Sequence, residues 1–203
     1  MNTIDTPPTP TDATDAAQTP AVASRGPVRP SARFMLRHPA HAIALGFGSG
    51  LSPKAPGTIG TLWGWVSFLV FSRWLDSAQI GLLIAVSLAV GLWACTTAAK
   101  NLRTADPGAI VWDEIVAIWI VLWVLMPAGW LSQLVAFGLF RYFDAAKPGP
   151  VRWADQLYKL KPGQAIGWRQ GWGILFDDLV AAGCTLLIIA LGLTVNRIWT
   201  WTS

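Results

Sequence analysis

Long uncharged stretches alternate with charged segments along this chain. The uncharged stretches cover residues 55–72, 77–99, 115–140 and 179–196. Pro127 and Gly129 interrupt the third stretch, and these residue types predict a turn between two shorter helices. The pattern predicts an all-α, membrane-associated multi-helix bundle of about five apolar helices, some of them short, since a full span needs about 20 residues. A soluble all-helical protein with an apolar core remains the alternative.

The beginning of the chain differs from the rest. Residues 1–30 are rich in Thr, Pro and Ala and contain almost no large apolar side chains. Such a segment cannot bury enough apolar surface to offset the entropy of ordering, so we predict a disordered N-terminal tail. Because a chain of 203 residues is ordinarily one domain, residues 31–203 are predicted to form a single helical membrane domain.

Charged residues are scarce and unevenly distributed. They make up 13% of the chain, whereas soluble domains contain about 25%. The formal net charge is +4, but the basic residues form no stripe of the kind that binds nucleic acid. They lie between the apolar stretches, where an anionic lipid is the expected partner. Five passes with the N-terminus inside would place every loop rich in Lys and Arg in the cytoplasm, so we predict a multi-pass membrane protein.

Acidic residues concentrate on that predicted inner side, which holds seven of the eight found beyond the tail. Two adjacent pairs, Asp113–Glu114 and Asp177–Asp178, stand directly before predicted apolar helices. Helix capping explains a single Asp, but it explains two consecutive carboxylates less well, because successive helix positions point about 100° apart. Two such pairs can instead converge on one cation, and Mg²⁺ prefers oxygen ligands. Asp155 lies on the same side without an assigned role.

Two segments offer groups that bind phosphate. Residues 46–61 are rich in glycine and hydroxyl side chains and lead into a predicted helix, whose free N–H groups attract anions. Arg141, Asp144 and Lys147 are spaced three apart, so they share one face of a helix that the following prolines would end. A tight turn and a solvated helix face are equally compatible with these patterns. The candidate phosphate-binding residues are Ser49, Gly50, Lys54, Gly57, Thr58, Arg141 and Lys147.

Four blocks of sequence carry a resemblance to a known family. They are residues 46–61 (GFGSGLSPKAPGTIGT), 106–114 (DPGAIVWDE), 140–155 (FRYFDAAKPGPVRWAD) and 171–183 (GWGILFDDLVAAG). In this order they resemble the phosphatidylglycerophosphatase A family of bacterial lipid phosphatases. The resemblance implies Mg²⁺-dependent hydrolysis of phosphatidylglycerophosphate to phosphatidylglycerol and inorganic phosphate, a step of phospholipid biosynthesis. It also implies a helical fold in the inner (cytoplasmic) membrane, with the active site facing the cytoplasm.

The resemblance also implies which residues form the site. Ala117 stands where the family usually has glycine, and residues 156–170 are longer than the usual link, so helix packing and substrate contacts there are open questions. The positions that match the family's motifs form two sets, one of acidic residues and one in the glycine-rich loop. The first set is Asp106, Asp113, Glu114, Asp144, Asp177 and Asp178, and the second is Gly48, Ser49, Gly50, Pro56, Gly57 and Thr58.

A mechanism follows as a hypothesis. The two acidic pairs would hold one or two Mg²⁺ ions, which polarise the phosphoryl oxygens and lower the pKa of an attacking water. The remaining groups would orient that water, act as the base or bind the phosphate groups. Asp106 or Asp144 would orient the water or act as the base. The phosphate groups would be bound by Lys54, Arg141 and Lys147.

Two other functions compete with this reading. A CDP-alcohol phosphatidyltransferase-like enzyme also combines metal, carboxylates and lipid, but its Asp-Gly…Ala-Arg…Asp pattern is missing here. A small cation transporter would favour acidic residues in mid-membrane, whereas these lie at predicted helix ends. None of these patterns indicates an oligomeric state.

Overall fold

The computed structural model describes residues 26–160 and 164–202, and every regular element in these two ranges is helical. The predicted all-α bundle is therefore confirmed. Residues 1–25 of the predicted tail lie outside the described residues, as does Lys161. In chain order the elements are α1 (Ala32–Met35), α2 (Pro39–Ala44), the 3₁₀ segment Gly46–Leu51, α3 (Pro56–Phe71), α4 (Ser77–Leu102), α5 (Trp112–Val124), α6 (Trp130–Ala146), α7 (Pro150–Leu157) and α8 (Trp168–Thr202).

Five of these helices are the predicted apolar ones: α3, α4, α5, α6 and α8. The turn expected around Pro127 separates α5 from α6, and Gly129 is the N-cap of α6. Helices α4 and α8, with 26 and 35 residues, are long and apolar enough to cross a bilayer. The other three have 16, 13 and 17 residues and are shorter than a full span requires.

Large apolar side chains also cover the outside of the bundle. A soluble protein rarely exposes so much contiguous apolar surface, because water makes it a site of association. A bilayer removes this penalty, so the surface fits a membrane protein. Exposed examples on α3, α4 and α8 are Leu62, Leu69, Leu82, Leu187 and Leu191.

The structure corrects the start of one predicted helix and adds four short elements. Helix α8 begins at Trp168, so Asp177 and Asp178 lie inside it and do not stand directly before it. No proline interrupts residues 168–178. Gly171 packs closely against Leu92 of α4, and this contact stabilises helical turns before the acidic pair. Pro150 starts α7, because the first turn of a helix needs no N–H group from that residue. The short elements α1, α2, α7 and the 3₁₀ segment were not predicted.

Helix α5 is the centre of the bundle. It packs against α3, α4, α6 and α8, and side chains on all of its sides are buried. A helix that is apolar all round is expected in such a position. Ala117, at the position where glycine is usual, is fully buried within it. The fully buried side chains of α5 include Ile115, Val116, Ile118 and Val121.

Glycines allow α3 to approach α5 closely. A Cβ atom on Gly64 would lie 2.6 Å from Ile118 Cγ2 and 3.1 Å from Ile115 Cα, and one on Gly60 would lie 2.6 Å from Val111 Cβ. Trp119 Nε1 on α5 donates a hydrogen bond of 2.8 Å to the carbonyl oxygen of Gly64, which satisfies a buried polar group. The two helices are therefore held at short range by shape and by one buried hydrogen bond.

We expect Gly64→Ala to destabilise the protein by about 1–3 kcal/mol, because the added methyl group overpacks the contact with Ile118. The measurement is thermal unfolding in detergent micelles, followed by tryptophan fluorescence. Gly138→Ala is the matched control, since no atom lies within 4 Å of its added Cβ. That control should be neutral or stabilising, because alanine favours a helix over glycine by about 1 kcal/mol. Equal shifts for the two variants would contradict the proposed packing.

Candidate active site

One pocket at one end of the bundle gathers the acidic side chains. Its cavity of about 150 Å³ is lined by all seven acidic residues of the predicted inner side. The eighth, Asp76, caps the opposite end of α4, where its Oδ1 accepts a 2.8 Å hydrogen bond from Gln79 N. Residues far apart in sequence therefore converge at one site. The seven are Asp106, Asp113, Glu114, Asp144, Asp155, Asp177 and Asp178.

Three of these carboxylates form a deep cluster. Asp113, Glu114 and Asp178 each offer an oxygen atom, and the three oxygens lie within 4.8 Å of one another. Each residue also has a buried carboxylate oxygen without a hydrogen-bond partner among the described residues. Buried anionic oxygens are unfavourable unless they are paired, and a divalent cation with oxygen ligands pairs them. The donor set therefore fits Mg²⁺.

The start of α5 positions the first two of these carboxylates. The backbone N–H of Val111 donates to the carbonyl oxygen of Ala44 at 2.9 Å, and Trp112 Nε1 donates to that of Ser87 at 3.0 Å. Gly91 leaves room for the indole, because a Cβ there would lie 2.8 Å from Trp112 Nε1. The two acidic residues that follow lie in the first turn, where free N–H groups and the helix dipole favour negative charge.

An arginine on α6 lies beside this cluster. Arg141 forms an ion pair with Asp144, and its Nη1 lies 3.4 Å from Thr61 Oγ1. Gly57 of the glycine-rich segment makes room for this arrangement. A Cβ on Gly57 would lie 2.5 Å from Glu114 Oε1 and 3.3 Å from Arg141 Nη2. The glycine therefore lets a carboxylate and a guanidinium approach the backbone of α3 together.

A lysine lies between the deep and the outer parts of the pocket. Lys147 Nζ donates to Asp177 Oδ2 at 2.5 Å and to Asp155 Oδ1 at 2.6 Å, and Lys159 Nζ lies 2.7 Å from Asp155 Oδ2. Burial lowers the pKa of Lys147, but its hydrogen bonds to the two carboxylates outweigh burial and raise this pKa above the ordinary value. Burial acts to raise the pKa of Asp155, and the two lysines hold it below the ordinary value. Lys147 therefore faces the pocket as an ammonium group.

Most of the predicted loop residues lie away from the pocket. Ser49 Oγ donates to a carbonyl within its own loop at 2.9 Å, and Gly50 packs against the carbonyl oxygen of Ala109. Lys54 is exposed, and neither it nor Thr58 lines the acidic pocket. The glycine-rich segment thus contacts the site through Gly57, while Arg141 and Lys147 of the second candidate segment lie at the site.

The structure adds residues that were not assigned a role from the sequence. Asp155, Tyr158, Lys159 and Gln170 all line the pocket. The available signal was the spacing of Asp155 and Lys159, which places them one helical turn apart and allows an ion pair. Such pairs are common on solvated helices, so the spacing alone did not distinguish a site from a surface.

The fold and the pocket define a class of protein: an all-helical bundle, apolar enough for a membrane, with a carboxylate-lined site at one end. The sequence model of the family described as Phosphatidylglycerophosphatase A matches residues 42–193. The chain belongs to the phosphatidylglycerophosphatase A family. It is therefore an enzyme of the phosphatase class.

Similar proteins are known from several bacteria. The phosphatidylglycerophosphatase A of Escherichia coli is 36% identical over 149 residues, which cover 73% of this chain and 80% of the relative. That of Haemophilus influenzae is 35% identical over 160 residues, covering 79% and 92%. A protein of Bacteroides thetaiotaomicron with the provisional name phosphatidylinositol-3-phosphatase is 33% identical over 157 residues, covering 73% and 90%. No solved structure matches the chain significantly.

We expect Gly57→Ala to lower phosphate release at least tenfold, because the added methyl group displaces the Glu114 carboxylate or the Arg141 guanidinium. A misplacement of about 1 Å in a catalytic group can cost 100-fold in rate. Gly138→Ala, on the same helix as Arg141 but with open space around it, is the control and should retain full activity. Unchanged turnover in Gly57→Ala, at unchanged thermal stability, would show that this contact has no role in the site.

Proposed function

We propose that this enzyme hydrolyses phosphatidylglycerophosphate to phosphatidylglycerol and inorganic phosphate, as a step of phospholipid biosynthesis. The names of the Escherichia coli and Haemophilus influenzae relatives support this substrate. The observation that carries the proposal is the deep cluster of Asp113, Glu114 and Asp178, whose buried oxygens have no hydrogen-bond partner in the described part of the chain and lie beside basic side chains. A phosphate group can bind among carboxylates only where cations offset their charge.

We propose that the reaction depends on Mg²⁺, with Asp113, Glu114 and Asp178 as its ligands. When bound, Mg²⁺ supplies charge neutralisation at the phosphoryl oxygens and makes a water more acidic. Asp177, expected as a fourth ligand, accepts a hydrogen bond from Lys147 and shares its charge with that ammonium group. We therefore propose that Asp177 positions Lys147 beside the metal site and is not itself a metal ligand.

The remaining groups of the pocket bind the phosphate and orient the water. Arg141 is the cation next to the cluster, and its buried Nε has no hydrogen-bond partner among the described residues. Lys147 lies further out, where it pairs with Asp177. Water attacks phosphorus, the bond from phosphorus to the glycerol oxygen breaks, and that oxygen takes a proton. Two carboxylates would orient the water or accept its proton: Asp144, beside Arg141, and Asp106, which is exposed in the pocket.

We propose that the protein is a multi-pass protein of the inner membrane with this pocket on the cytoplasmic side. Support comes from the basic residues, because Lys and Arg favour the cytoplasmic ends of membrane helices. The end of the bundle with the pocket carries many of them, whereas the opposite end carries Arg73, in the loop before α4, and Arg197, near the end of α8. Those around the pocket end are Lys100, Arg103, Arg141, Lys147, Arg152, Lys159 and Arg169.

We expect Asp178→Asn to abolish stabilisation by Mg²⁺, because it removes one charged ligand of a three-carboxylate site. In the wild-type protein, Mg²⁺ at about 100 times its dissociation constant should raise the unfolding free energy by about 2.7 kcal/mol. The measurement is thermal unfolding in micelles with Mg²⁺ and with a chelator. Asp76→Asn is the charge-matched control, since Asn caps a helix about as well as Asp. An undiminished response to Mg²⁺ in Asp178→Asn would refute this ligand set.

The substrate is tested by phosphate release from phosphatidylglycerophosphate in micelles, with Mg²⁺ and with a chelator. We expect metal-dependent release by the wild-type protein and at least 100-fold less by Asp178→Asn. Phosphatidylinositol 3-phosphate is the comparison substrate, because the Bacteroides thetaiotaomicron relative is named for it. Faster phosphate release from phosphatidylinositol 3-phosphate would show that the preferred substrate has an inositol head group. No release from either lipid by folded protein with Mg²⁺ would reject a lipid phosphatase of this kind.

A further inference from the structure

Charged side chains form a continuous line from the bottom of the pocket to its mouth. Asp178 is buried in the deep cluster. Asp177, which precedes it in the sequence, accepts a hydrogen bond from Lys147. Asp155 then joins Lys147 to Lys159. The two carboxylates on this line are the less exposed side chains, 12% for Asp177 and 13% for Asp155, whereas Lys147 is 30% exposed and Lys159 65%. The two lysines therefore occupy the outer part of the cavity, beyond the metal site.

Asp155 fixes the relative position of the two lysines. One of its oxygens accepts from Lys147 at 2.6 Å and the other pairs with Lys159 at 2.7 Å, so a single carboxylate bridges both ammonium groups. Its helix is anchored, because Val151 and Ala154 of α7 are fully buried. Asp155 is thus held by a packed helix, and Lys159 lies two residues beyond the end of that helix. Two ammonium groups arranged in this way remain able to donate further hydrogen bonds to an anion.

We propose that Lys147 and Lys159, positioned by Asp155, form a second phosphate subsite, which binds the phosphodiester of the same lipid whose phosphomonoester reaches the deep cluster. This inference rests on the proposed function and deepens it. A phosphatidylglycerophosphate head group carries both kinds of phosphate, joined by one glycerol. The diester has free anionic oxygens that accept hydrogen bonds from ammonium groups. A lipid with only a monoester leaves this subsite empty, so the subsite selects head groups with two phosphates.

The first test is the kinetics of Lys159→Gln on short-chain phosphatidylglycerophosphate below its micelle concentration. We expect KM to rise about tenfold with kcat nearly unchanged, because a charged hydrogen bond to a group remote from the reacting phosphorus is lost. Lys100→Gln is the charge-matched control, since Lys100 is exposed at the end of α4 and does not line the pocket. A fall in kcat at constant KM, or an equal effect of the control, would overturn the inference.

The two reaction products separate the two subsites, because each carries one of the phosphates. Short-chain phosphatidylglycerol carries the diester, and inorganic phosphate represents the monoester. We expect Lys159→Gln to weaken competitive inhibition by phosphatidylglycerol about tenfold and to leave inhibition by phosphate unchanged. Non-competitive inhibition, or activation, by phosphatidylglycerol would mean that the lysines bind a neighbouring lipid, and would overturn the inference.

Asp155 is tested as a positioning residue. We expect Asp155→Asn to raise KM in the same direction as Lys159→Gln, and Asp155→Glu to restore it to within about threefold. In the double variant Asp155→Asn/Lys159→Gln, the factor by which KM rises should be smaller than the product of the two single factors, because both changes act on one interaction. A purely structural role would instead give multiplicative effects and no rescue.

The outcomes for the subsite and for the proposed function are distinguishable. If the wild-type protein releases no phosphate, the proposed function fails. Binding of short-chain phosphatidylglycerol, measured by titration calorimetry on wild-type protein and Lys159→Gln, then still decides whether the subsite exists. If the wild-type protein is active and neither KM nor product inhibition changes in Lys159→Gln, the function stands and the subsite is rejected.

Discussion

The mutual repulsion of three carboxylates, each with a buried oxygen, is the constraint on which the rest of the structure depends. Asp113, Glu114 and Asp178 come from two different helices, and their oxygens lie within 4.8 Å of one another. Left unpaired, such charges would push α5 and α8 apart, because burial weakens their hydration and strengthens their repulsion. The three nearby cations pair with the surrounding carboxylates: Arg141 with Asp144, and the two lysines of the pocket with Asp155 and Asp177. None of these ion pairs includes the three clustered carboxylates, which supports the proposal that a metal ion binds there.

The bundle opposes this repulsion with close packing on the far side of α5. Helix α3 approaches through glycines, and buried tryptophans donate to backbone carbonyls, so α5 cannot rotate away from the pocket without breaking those contacts. Close-packed cores resist small displacements, because each lost contact has no replacement. Gly57 belongs to both systems, since it lies on α3 and borders Glu114. The same helix therefore stabilises the core and shapes the site.

The sequence was sufficient to predict the apolar helices and the acidic residues of the site, because both follow from strong local patterns. The run of uncharged residues and the break at Pro127 predicted five helices, and paired carboxylates predicted the cluster. The start of α8 was misplaced, because residues 168–178 mix polar and apolar side chains and helix continuation there depends on packing against α4. The bridge from Lys147 to Asp155 was missed for a similar reason. It requires the turn between α6 and α7, and Lys147 adopts there a left-handed conformation that composition does not reveal.

The shortness of α5 has a consequence for how a lipid reaches the enzyme. Thirteen residues of helix rise only about 20 Å, whereas the hydrocarbon core of a bilayer is about 30 Å thick. When α4 and α8 cross that core fully, α5 cannot reach both surfaces, and a first turn on the pocket side can lie below the level of the head groups. In the membrane orientation proposed above, the carboxylates would occupy a recess that water fills from one side. A phosphorylated head group would enter by bending inward, and its acyl chains would never have to leave the leaflet.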